Sequence, residues 1–116
     1  PPLERAPVAN ARVVDAFGNS LAEVSVDQQV QIEADLVNGQ DGDQSFAYLV
    51  QVQDSDGVTV SLAWITGQLA AGQSFSPALS WIPDASGSYE ATVFVWESVD
   101  NPTALSDTAS VSITVV

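Results

Sequence analysis

Carboxylates are the one class of chemically versatile side chain that this sequence holds in number. It carries 15 Asp and Glu against two cations, Arg5 and Arg12, and it has no Lys, His, Cys or Met. Paired carboxylates can serve as acid and base in glycoside hydrolysis, given a cleft to hold them. Clustered carboxylates can offer oxygen ligands to Ca²⁺. The candidates for calcium are Asp41 and Asp43, in residues 38–44, and Asp54 and Asp56, in Asp54-Ser55-Asp56-Gly57. Neither loop supplies the closing Glu of an EF-hand, and Asp-Gly is already accounted for as turn chemistry.

Other chemistries are excluded by residue type. General acid–base work near neutral pH most often uses His, and covalent catalysis uses Ser or Cys beside His, or a Lys amine. None of those pairings can be assembled here. Thiolate metal sites, disulfides and lysine isopeptide staples are excluded on the same grounds, and the proline in Asn101-Pro102-Thr103 blocks the one near-sequon. The expectation is a chain that is not an enzyme, needs no cofactor and assembles without covalent links.

The charge is distributed unevenly. Both cations lie in the first twelve residues, whereas residues 13–116 hold all the acids except Glu4, for a net charge of −13. A uniformly negative body repels phosphate backbones and anionic lipid, so nucleic acid and membrane surfaces are disfavoured as partners. No apolar run is long enough to cross a bilayer. The sequence starts at Pro1 without a signal peptide, as a processed chain or a module of a longer protein would.

The elements that would position these residues are strands. Two-residue alternation recurs and no helical period is sustained. Val30–Val37 alternates Val30, Ile32, Ala34 and Leu36 against polar residues. Residues 46–54 do the same with Phe46, Tyr48, Val50 and Val52, and residues 58–65 with Val58, Val60, Leu62 and Trp64. Asp56-Gly57 between the last two runs predicts a hairpin. Residues 11–17, 73–82, 89–98 and 110–116 complete seven expected strands, the fifth placed at an edge by Pro77. Seven short strands with turn residues between them predict a Greek-key β-sandwich of immunoglobulin-like type over residues 11–116.

A Gly two residues before a Tyr at the start of the penultimate strand, Gly87-Ser88-Tyr89, is the setting of a tyrosine corner, so Gly87 and Tyr89 read as structural, with Trp81 as core. The stretch Gly87-Ser88-Tyr89-Glu90-Ala91-Thr92-Val93-Phe94-Val95-Trp96-Glu97-Ser98-Val99-Asp100-Asn101-Pro102, with Leu105-Ser106 after it, resembles immunoglobulin-like domains in cell-surface proteins of archaea, particularly marine ammonia oxidisers. It is also broadly similar to bacterial adhesion-related sandwich modules. Where antibody domains place a Cys two residues after the Tyr, this chain has Ala91. The resemblance implies an extracellular or cell-surface binding or structural module, and it carries over no catalytic residues.

Two interaction surfaces are expected. Residues 1–10 are Pro-rich and read as an extended arm, since each proline fixes φ and removes a donor. As a donor strand the arm would add to the sheet of the next copy, with Leu3, Val8 and Val13 filling apolar pockets and Arg5 and Arg12 entering an acidic body. The partner is then the chain itself, and the head-to-tail contact propagates as a filament. The alternative is that the arm folds back on its own sandwich.

The second surface is the outer face of the penultimate strand. There Phe94 and Trp96, joined by Leu49, would form an exposed stripe able to meet a surface protein or glycan. A bulge near Val95 would instead turn Trp96 into the core. Trp64, Trp81 and Trp96 together could form the sugar-stacking platform of a carbohydrate-binding module.

Overall fold

In the computed structural model, which describes residues 6–15, 17–21, 23–101, 104–105 and 108–116, every regular element is a strand. These are β1 (Val8–Val14), β2 (Val30–Val37), β3 (Gln44–Asp54), β4 (Thr59–Leu69), β5 (Ser74–Phe75), β6 (Ala78–Trp81), β7 (Gly87–Trp96) and β8 (Ala109–Val115). The first sheet places β2 between β1 and the collinear pair β5 and β6; the second runs β4-β3-β7-β8, and all ladders are antiparallel. The chain crosses between sheets after β2, β4 and β6, which gives the immunoglobulin-like sandwich.

Alternation decides what is buried. From the first sheet Val13, Val30, Ile32, Ala34 and Leu36 face inward, and from the second Phe46, Tyr48, Val50, Val52, Val93, Val95, Ile113 and Val115 meet them. Tyr48 is wholly buried, and its hydroxyl donates to the Ile32 carbonyl across the sandwich at 3.2 Å, which satisfies its polar end. Burial pushes its phenol well above the usual range.

Three expectations about elements are corrected. The strand expected at residues 73–82 is two strands, because Pro77 has no N–H to continue the ladder with β2; its carbonyl instead accepts from Ala34 N at 3.3 Å. The first strand is Val8–Val14 in place of 11–17, so the sandwich reaches into the expected arm. Its old C-terminal end is a turn in which the Asp15 carboxylate accepts from Asn19 N and Phe17 N, both at 2.9 Å, which holds that carboxyl below its ordinary value. The fourth strand runs on to Leu69, past the expected end at Ile65.

Two tethers fix the loops. The Tyr89 hydroxyl donates to Ala85 O at 2.8 Å, closing the tyrosine corner, and Gly87 supplies φ of 146° at the strand entry. The Trp81 ring meets Tyr89 edge-on at 5.1 Å and is buried. At the other end, Asn38 is a fully buried polar residue. Its amide nitrogen lies 2.8 Å from Gly42 O, 3.1 Å from Leu69 O and 3.1 Å from Ala70 O, and its Oδ1 accepts from Gln40 N at 3.1 Å. One side chain thus ties the β2–β3 loop to the β4–β5 turn.

Candidate functional site

The β3 ladder builds the site. Leu49 lies opposite Trp64 of β4 on one side and opposite Phe94 of β7 on the other, so all three project from the outer face of the second sheet. Ladder partners share a face, and residues two apart return to it. Leu62 and Trp96 therefore join the same surface. The β3–β7 ladder keeps one register from Ala47↔Trp96 to Asp54↔Tyr89, so no bulge turns Trp96 inward.

The result is a shallow groove of about 410 Å³ with Leu49, Leu62, Trp64, Phe94, Trp96 and Val99 in its walls. Leu49 is its floor, only 5 % exposed, whereas Trp64 and Leu62 stand 52 % and 55 % exposed on one rim. The Phe94 and Trp96 rings lie 6.1 Å apart at 54°, a tilted pair that props both side chains upright on the other rim. Among the described residues no charged side chain lines the groove, and the polar lining residue Gln51 already donates to Thr59 Oγ1 at 2.8 Å.

Leu62 and Trp64 depart from expectation. Their alternation with Val58 and Val60 reads as a core face, yet they face solvent. A register shift between Val52 and Gln53 leaves Val60 without a partner in the ladder, and the pairings Gln51↔Leu62 and Leu49↔Trp64 then fix both on the outside. The sugar platform expected from three tryptophans is thereby rearranged: Trp64 and Trp96 share the groove, and Trp81 is in the core on the opposite sheet.

A larger cleft of about 570 Å³ lies between β4 and the end of β6, lined by Val60, Ser61, Ser80, Ile82 and Asp84. Its remaining walls are Trp81 and Tyr89, whose packing is that of the tyrosine corner. It is a seam of the sandwich.

The arm residues are placed differently from the donor-strand expectation. Leu3 and Arg5 lie outside the described residues. Ala6 is fully buried and its N–H donates to Leu105 O at 3.0 Å, Pro7 O accepts from Val37 N at 3.4 Å, and Val8 pairs with Leu36 in the chain's own sheet. Val13 is in the chain's own core. The Arg12 guanidinium is also engaged at home: Nη2 lies 2.7 Å from Glu33 Oε1 and 3.2 Å from Asp35 Oδ1, and Nη1 donates to Asn10 O at 2.9 Å. The Ser76 hydroxyl, the Asn10 amide and Arg12 together hold the Asp35 carboxyl down to about 2. From Ala6 to Val13 the arm is folded back, and its cation already has carboxylate partners on β2.

The calcium candidates are not assembled either. Asp54 Oδ1 accepts from Asp56 N at 2.9 Å and from Val58 N at 3.0 Å, as turn chemistry requires. Among the described residues no group of three or more Asp, Glu, His or Cys side chains is placed to hold a metal ion.

No family model matches the chain, and no curated protein matches its sequence. Solved structures do match its fold. The C-terminal domain of Wzt superposes with a TM-score of 0.80 over 97 % of this chain and 74 % of that one, at 14 % identity. The CARDB domain of the PF1109 protein from Pyrococcus furiosus, solved in complex with di-metal ions, matches at 0.65 over 96 % and 87 %, with 16 % identity. A PapD-like domain of human CEP192 matches at 0.62 over 100 % and 88 %, with 14 % identity. What these structures share with the chain is architecture, and by that architecture it is an immunoglobulin-like β-sandwich.

Proposed function

We propose that the chain is a non-catalytic immunoglobulin-like module of an extracellular or cell-surface protein, of adhesion type, and that it works by protein contact through the outer groove of β4, β3 and β7. The observation that carries this reading is the convergence of Leu49, Leu62, Trp64, Phe94 and Trp96 on one face, with no charge among its described lining residues, in a chain whose net charge is −13. Interface cores are enriched in aromatics and depleted in charge, as this face is. A sugar would need polar groups aimed at its hydroxyls, and the amide of Gln51 is already engaged, so a protein partner fits the lining better. Polymerisation by donor-strand exchange has weaker support, since Val8, Arg12 and Val13 are seated in their own sandwich.

Photocrosslinking tests the reading. With benzoylphenylalanine in place of Trp96 in cells producing the chain, adducts to a surface protein are expected. Adducts to polysaccharide, or none, would overturn it. Negative-stain microscopy of the purified chain checks the polymer form, for which fibres would be required.

A further inference from the structure

The sheet edges of this sandwich are not treated alike. The β8 edge is covered: Val24 runs parallel to it, with Val24 N donating to Thr114 O at 2.9 Å and Val116 N donating to Val24 O at 2.8 Å. The β1 edge is broken by a register shift between Ala9 and Arg12, carries a cation, and is partly taken by Leu21 N donating to Val13 O at 2.9 Å. The opposite edge of the first sheet is interrupted by Pro77. Bulges, charges, prolines and covering segments are the means by which natural sheets prevent edge-to-edge pairing.

Among the described residues the β4 edge carries no charge, no proline and no covering segment. It ends the second sheet, it is 11 residues long, and its one bulge lies at the hairpin end. From Gly57 to Pro83 the sequence contains no charged residue, and Val60, Leu62, Trp64 and Ile65 are exposed along the strand. At about 3.3 Å per residue this is an open, neutral, apolar edge roughly 36 Å long.

We infer that β4 pairs antiparallel with β4 of a second copy, joining two four-stranded sheets into one continuous sheet about a two-fold axis at Trp64. Charge selects this occupant. Two bodies of −13 repel over most of their surfaces, and the β4 strand, itself without a charge and with Asp84 only beside Val60 and Ser61 at one end, is where they can meet with the least carboxylate burial. A basic segment gains nothing from an uncharged edge and would be drawn to the acidic surface instead. Full overlap of the Thr59–Leu69 strand with itself sets Trp64 opposite its own copy and Leu62 opposite Thr66, all on the outer face. The paired strands then join the two apolar stripes into one band, so the contact has side-chain burial beside its backbone hydrogen bonds. The inference concerns the strand edge and does not depend on what occupies the groove.

The chain has no cysteine, so single-thiol variants report register directly. Residues directly opposite in an antiparallel pair have Cα atoms about 4.5–5.5 Å apart, within disulfide reach, whereas positions two residues off the axis do not reach their own copies. Trp64→Cys of the full chain should oxidise to a covalent dimer and Thr66→Cys should not. In sedimentation velocity at 1 M NaCl, which screens the bodies, the unmodified chain should dimerise. Leu62→Glu should weaken that dimer about tenfold or more by burying carboxylates, and L62E/T66K should restore it by placing opposite charges across the pair. Trp96→Ala should leave the dimer intact. A chain monomeric at millimolar concentration, or equal crosslinking at both thiol positions, overturns the inference. Failure of the photocrosslink at position 96 alone overturns only the groove reading.

Discussion

Asp35 and Arg12 meet diagonally across the β1–β2 ladder, with Asp35 Oδ1 at 3.2 Å from Arg12 Nη2. One of the chain's two cations is thereby held on the surface of its own first sheet. Glu33 and Asp35, beside Asn10 and Ser76, complete a network that runs from β1 over β2 to the link between β5 and β6.

That network has a sign in pH. Asp35 is lowered from 3.8 to about 2 in the folded chain, so its contribution is fully present above the unfolded value and is lost as pH falls through the folded one. Between about pH 4 and pH 2, urea midpoints should fall more steeply for the unmodified chain than for Asp35→Asn. The Asp35 side chain is 42 % exposed, so screening limits the effect to about 1 kcal/mol or less.

Tyr89→Phe removes one hydroxyl and with it the bond to Ala85 O. Chemical denaturation should show a loss of about 1 kcal/mol, typical of a single hydrogen bond, with the m-value unchanged.

Asn38→Ala should be the costlier change. The carbonyls of Gly42, Leu69 and Ala70 lose a shared donor at a fully buried position. A loss of about 2–3 kcal/mol is expected, with hydrogen exchange rising first in residues 39–43 and 70–73.

Asp54→Ala should cost about 1 kcal/mol by removing the acceptor of Asp56 N and Val58 N. Melting temperatures of the unmodified chain in calcium and in chelator should coincide, since among the described residues no three carboxylates stand together to hold the ion.

The features legible in the sequence were those governed by local pattern. Val30–Val37 alternates cleanly because one face is buried along its full length, and Gly87-Ser88-Tyr89 marked a corner whose hydroxyl reaches only four residues back. Phe94 could be placed outward because β7 alternates, whereas the facing of Trp96 stayed open until the unbroken β3–β7 register excluded a bulge near Val95. Trp64 read as a core residue and is exposed, since its facing depends on the β3–β4 register, which a bulge shifts near the hairpin. The same limit hid the engagement of Arg12, whose carboxylate partners lie on β2 and are chosen by strand register. Asn38 carried no signal at all, because an Asn beside a Gly reads as an ordinary turn residue until its burial is known.

The parallel run of Val24 beside β8 has a mechanical meaning. Tension drawn along β8 toward Val116 would load the bonds Val24 N to Thr114 O and Val116 N to Val24 O together, in shear. Bonds sheared side by side must fail at once, whereas an antiparallel end that peels surrenders them singly. Under a pulling force this short bridge would act as a clasp.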